Sequence, residues 1–155
     1  MMVDYEATME KRGLVVPELP PAAGAYVPAV QTGSLVFCSG QGPFRDGSFA
    51  YLGKVGSDLT LEQGYESARI AALNCLAEIR TVIGSLNRIE RIVQVRGFVN
   101  CEDDFFDQPK VINGCSELLL EIFGEKGRHA RCALGTSSLP MNTPVEIEMV
   151  VEVKQ

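Results

Sequence analysis

VEIEMVVEV, residues 145–153, decides the fold. Val145, Ile147, Met149, Val151 and Val153 fall on one side of a two-residue period, and Glu146, Glu148 and Glu152 fall on the other. Successive side chains of a β-strand point to opposite faces, so this is a strand with one dry and one polar face. The dry face needs a cover, and two upstream segments have the periodicity to supply it. Thr60 with Gln63 forms a capping-box pattern that opens a helix. Tyr65, Ala68, Ala72, Leu76, Ile79 and Ile83 then recur at spacings of three and four, and Gly84 ends the run. Residues 107–109 open a second helix, with Pro109 in its first turn. Val111, Cys115, Leu118, Leu119 and Ile122 give that helix its inner face, and Gly124 closes it.

The rest follows outward from this pair of layers. Residues 92–99 are short and β-branched, and residues 129–137 read as a further strand. Residues 26–38 form two β-rich runs around Thr32-Gly33-Ser34, a hairpin. The Gly-rich stretch 39–57 predicts loop with a short strand near 49–52. Residues 4–12 predict a short helix stopped by Gly13, followed by an extended connector through Pro17, Pro20 and Pro21. The order β-β-α-β-α-β-β describes an α+β two-layer sandwich with two helices on one face of the sheet. Its other sheet face is left for an oligomer interface or a site. At 155 residues the chain is one domain, 1–155, with residues 1–24 as an N-terminal extension and connector.

Composition narrows the function classes. Apolar residues make up 46% and charged residues 22%, which excludes wholesale disorder. The 14 basic and 20 acidic side chains leave a net charge of −6, which argues against nucleic acid as a partner. No apolar run approaches the about 20 residues that span a bilayer. Asp4, Glu6 and Glu10 occupy the region where an export signal carries positive charge, so the expected location is the cytoplasm. The 5 cysteines (Cys38, Cys75, Cys101, Cys115, Cys132) include no C-x-x-C pair and sit mostly in apolar runs, so neither a disulfide framework nor a zinc site is indicated. His129, the single histidine, leaves no His-rich metal site. Phosphate-loop and nucleophile-elbow patterns are absent, and no metal or cofactor is expected.

The C-terminal run GRHARCALGTSSLPMNTPVEIEMVVEV, residues 127–153, resembles the signature of the RidA (YjgF) family: an A-R element, then L-P, then V-E-I-E. GAYVPAV at 24–30 and SGQ at 39–41 agree with it, so the resemblance runs from about residue 20 to the end. The segment before Pro20 and the HARCALG variant resemble a longer branch of that family. The resemblance implies a homotrimer of chorismate-mutase-like subunits, each with a mixed β-sheet, and a small carboxylate-bearing ligand in each inter-subunit cleft. It implies a hydrolytic deaminase of enamine and imine intermediates derived from amino acids. Arg131 matches the family's carboxylate-binding arginine and Glu146 its water-activating glutamate. Tyr26, Ser39, Gly40 and Asn113 match its site-lining residues.

The residues give these roles unequal support. A planar guanidinium grips a carboxylate through two parallel hydrogen bonds, which suits Arg131. Glu146 suits a general base, yet Glu148 and Glu152 show that the same face carries carboxylates without chemistry. Tyr26 as plain packing, Ser39-Gly40 as a turn and Asn113 as a helix-edge residue are the blander readings. The deaminase branch carries Cys two positions after the arginine, where this chain has Ala133. Cys132 comes one position earlier and faces away from Arg131 by alternation. His129 stands where many relatives have Pro, and it shares a face with Arg131. Both site residues lie near the starts of strands expected to run antiparallel, about six residues or ~20 Å of rise apart. A shared ligand then requires two subunits. The competing readings are a non-catalytic trimer that binds a small acid as sensor or regulator, and an endoribonuclease. The net charge and the missing pair of acid/base histidines weigh against the latter.

Overall fold

The computed structural model describes residues 2–155. In chain order its elements are α1 (Tyr5–Lys11), β1 (Ala29–Thr32), β2 (Leu35–Gln41), β3 (Phe44–Arg45), β4 (Ser48–Phe49), α2 (Leu61–Ile83), β5 (Ile89–Asn100), α3 (Gln108–Phe123), β6 (Ala130–Thr136) and β7 (Val145–Val153). The sheet order is β1-β2-β7-β5-β6. All neighbours run antiparallel except β5 and β6, which are parallel, so the sheet is mixed. β3 and β4 form a separate two-stranded ribbon.

β7 behaves as its alternation requires. Val145, Ile147, Met149, Val151 and Val153 are buried under the helices, and the residues between them are half-buried on the open face. α2 begins at the expected capping box: the Thr60 hydroxyl accepts from the Gln63 N–H, and the Gln63 side chain accepts from the Thr60 N–H. Gly84, at φ +83°, ends it. Two further glycines permit close layering rather than turns. A Cβ on Gly97 of β5 would sit 2.7 Å from Cγ1 of Ile112, because α3 crosses directly above. A Cβ on Gly114 of α3 would meet the main-chain carbonyl of Tyr65, its carbon 2.9 Å away, because α2 and α3 touch backbone to side.

The short helix expected at 4–12 forms as α1, and the structure corrects the expected strands in two places. In α1, Tyr5 and Met9 are buried and the Tyr5 ring stands edge-on to Phe123 at 4.6 Å between centroids. Asn87 anchors it, accepting from the Tyr5 N–H at 2.7 Å. The short strand expected near 49–52 is instead the β3–β4 ribbon. The strand expected at 92–99 is longer at both ends, with register shifts between Ile89 and Arg91 and between Ile92 and Gln94. Those shifts interrupt the alternation that marks a strand. No helix among the described residues is long and apolar enough to cross a membrane.

Candidate functional site

β7 presents Glu146 on the open face, level with Phe98 of β5. On its other side β2 slips register between Cys38 and Gln41, and Gly40 lies in that irregularity. The Glu146 side chain rests over Gly40: a Cβ there would lie 2.8 Å from Cδ of the glutamate. Any larger residue at position 40 would evict the carboxylate. Glu146 is half-buried, and burial, helped by the nearby charge of Glu148, pushes its pKa up. The side chain has no hydrogen-bond partner among the described residues, so both oxygens are free to handle a proton.

Glu146 borders a cavity of about 380 Å³ whose walls include Tyr26, Gly40, Phe44, Phe49 and Met141. The connector residues 19–23 form one side of it, which gives the N-terminal segment a place in the site. Met141 and Asn142 take positive φ of 56° and 58°, conformations uncommon outside glycine. Asn100 holds this turn by donating to the Thr143 carbonyl at 3.2 Å.

Arg131 belongs to a different cluster. Its Nη1 donates to Oδ1 of Asn113 at 2.8 Å and to Oγ of Ser116 at 3.1 Å. Ser116 Oγ lies 2.9 Å from Nε2 of His129, and Nδ1 of His129 lies 2.6 Å from the Gly127 carbonyl. A carbonyl only accepts, so Nδ1 carries the proton and Nε2 of the neutral ring accepts from Ser116. Burial lowers the His129 pKa, opposed by the bond to Gly127 and assisted by the Arg131 charge, which is consistent with a neutral ring. The arrangement fixes one edge of the guanidinium.

The six residues singled out by the sequence therefore divide into groups. Tyr26, Gly40 and Glu146 share the cavity. Asn113 and Arg131 are bonded to each other, on the helix side of the sheet. Ser39 serves the first group indirectly, its hydroxyl donating to the Val27 carbonyl at 2.9 Å and bracing the Tyr26 segment. The two groups do not meet within one chain. Arg131 is level with Val95 of β5 and Glu146 with Phe98, three positions along an alternating strand and hence on opposite faces. The expected offset of about six residues is thus corrected to three, or ~10 Å along the strands, because β5 lies between β6 and β7. Cys132 does face away from Arg131, level with Arg96, which pairs with Glu148 at 2.8 Å.

Three participants escaped the sequence reading. Ser116 follows Asn113 by one helical turn, and that spacing was the available signal. Glu78 lines the cavity from α2, a lone acid within the apolar run AALNCLAEI at 71–79. The connector walls carry no signal beyond their prolines.

Comparison with known proteins bears on the fold. The sequence model of the family described as "YjgF/chorismate mutase-like, putative endoribonuclease" matches residues 6–153. Protein TCP17 of Trypanosoma cruzi is 37% identical over 147 residues, 94% of this chain and 92% of that protein. A crystal structure from Agrobacterium tumefaciens, of unknown function, superposes with a TM-score of 0.87 at 37% identity, covering 96% of this chain and 91% of the other. One from Shewanella oneidensis MR-1, which bears the same endoribonuclease designation, gives 0.92 at 36% identity, covering 96% and 99%.

Proposed function

The chain belongs to the YjgF/chorismate-mutase-like family, and on that premise we propose that it hydrolyses enamine and imine intermediates derived from amino acids. The observation that carries this reading is the state of Glu146: half-buried, unpaired, seated on Gly40 and facing an aromatic-walled cavity. A carboxylate with a raised pKa gives and takes protons nearer neutral pH than an exposed one does.

The reaction uses one water. The imine enters protonated on nitrogen; Glu146 removes a proton as the water oxygen bonds to the imine carbon, giving a neutral carbinolamine. It returns that proton to nitrogen, the C–N bond breaks as the hydroxyl oxygen becomes the carbonyl and releases its proton to solvent, and ammonia and a keto acid leave. An enamine enters the same path after Glu146 has delivered a proton to its β-carbon. The substrate carboxylate needs a cation, and the cavity has no Lys, Arg or His in its wall. Arg131 of a neighbouring copy fills that requirement in a trimer whose clefts join the two clusters. Asn113 and Ser116 pre-set its guanidinium, which lowers the cost of ordering it on binding.

One observation favours a second reading, a trimer that binds a small acid without turning it over. Position 133, where the deaminase branch carries Cys, is Ala, and Cys132 is directed to the other face. Ammonia release from an enamine generated in the assay separates the two. The deaminase releases it and loses about 10²–10⁴ in turnover as Glu146→Gln, with carboxylate affinity kept. A binding protein shows affinity that depends on Arg131 and no ammonia above the uncatalysed rate.

A further inference from the structure

Glu78 is only 7% exposed, on the inner face of α2 one turn beyond Asn74. Asn74 donates through its amide to the Gly42 and Phe44 carbonyls at 2.9 Å each, while its buried Oδ1 accepts from no group among the described residues. The Glu78 carboxylate has no such partner among the described residues, and burial alone pushes its pKa up. The carboxylate oxygens are not sealed from the surface, so the unpaired group is tolerated and a ligand can reach it. Glu78 lines the cavity that Glu146 borders and also an adjoining hollow with Glu18, Arg80 and Thr81. Glu78 and Glu146 both line their shared cavity, the first from α2 and the second from β7. The same wall carries the aromatic rings of Tyr26, Phe44 and Phe49 and, among the described residues, no Lys, Arg or His. An occupant must therefore bring its own hydrogen-bond donors and positive charge, and it must have an aliphatic stem that suits aromatic walls.

We propose that Glu78 is a specificity-determining residue that receives the terminal ammonium of the ligand's side chain, so that the site takes imines derived from diamino acids. This rests on the deaminase reading for the word imine, but the recognition itself does not require turnover. Glu146 handles the reacting carbon, and Glu78 reads the far end of the side chain. A single metal ion fits the cavity less well, because among the described residues no three His, Cys, Asp or Glu side chains gather to hold one. A protonated amine on a flexible stem needs only one acceptor at its end.

The test is calorimetric binding to the full chain in its natural assembly, with lysine and norleucine as probes of similar stem length, one ending in an ammonium and the other in a methyl group. Lysine should bind at least about tenfold more tightly than norleucine. Glu78→Gln, close in shape but uncharged, should abolish that preference, and Glu78→Asp should retain part of it. Equal binding of the two probes by the unmodified protein overturns the proposal, as does failure of both to bind. A lysine preference that survives in a folded Glu78→Gln protein also overturns it. Ammonia assays on the same protein preparations, with an enamine generated in the assay, keep the two ideas apart. A Glu78-dependent lysine preference without ammonia release removes the deaminase reading and leaves the subsite standing. Release of ammonia without that preference does the reverse.

Discussion

At the scale of single residues, two titrating groups leave opposite marks on stability. His129 is held with its pKa below the usual 6.5. Between that lowered value and 6.5 the unfolded chain binds more protons than the native one, so stability rises with pH across this window and falls on acidification. Denaturant midpoints taken through this range should show the slope, and His129→Ala should flatten it. Glu146 is the reverse case, with a native pKa above 4.5. Its contribution is fully present below 4.5 and is lost as pH rises through the raised native value. Glu146→Gln should therefore make the protein more stable at neutral pH while it loses activity, the trade expected of a site residue held in a costly environment. Gly40→Ala is the companion substitution. Its new methyl group would collide with Cδ of Glu146 at 2.8 Å, so turnover should drop although the base is still present. Parental turnover in Gly40→Ala would show that the seat of Glu146 is unimportant.

At the scale of elements, packing between α2, α3 and the sheet carries the fold. Leu76 is fully buried on α2, and Leu76→Ala should cost about 2–5 kcal/mol by chemical denaturation. A loss under ~0.5 kcal/mol would put that face of the helix at the surface. Gly114→Ala inserts a methyl group against the Tyr65 backbone, and overpacking of that kind costs about 1–3 kcal/mol. These elements also show what the sequence could reveal. α2, α3 and β7 were legible because amphipathic periods are local, and the capping box and Gly84 marked an end directly. β5 was read short because its register shifts break the two-residue alternation. The docking of α1 was hidden, because it depends on Asn87 and Phe123, far along the chain. Family resemblance singled out Arg131 and Glu146 as candidates, but no one-dimensional pattern could show β5 standing between their strands. Glu78 was illegible for the same reason: its significance lies in the cavity it faces, not in its neighbours in sequence.

At the scale of the whole molecule, the division of the site into two clusters makes assembly a functional question. The open sheet face carries Phe37 and Leu134, 46% and 50% exposed, beside the Arg96–Glu148 pair. An apolar surface of this kind with a charged component suits a specific contact between copies. The trimer proposed above uses that face, and sedimentation at micromolar concentration should detect it. The sharper prediction concerns mixed assemblies. Arg131 and Glu146 face opposite sides of one sheet, so no subunit offers both to one small ligand. If each cleft takes Arg131 from one copy and Glu146 from the next, Arg131→Ala and Glu146→Gln homotrimers are both inactive. In a mixed trimer, any cleft that draws Arg131 from a Glu146→Gln subunit and Glu146 from an Arg131→Ala subunit is intact. Co-refolding the two inactive variants should therefore restore part of the activity, and the restored fraction should follow the mixing ratio with its maximum near equal amounts. A trimer whose sites lay within single subunits would restore nothing at any ratio. Hetero-trimers verified by differential tagging that remain inactive would exclude the shared cleft, and the Arg131 cluster would then need another role.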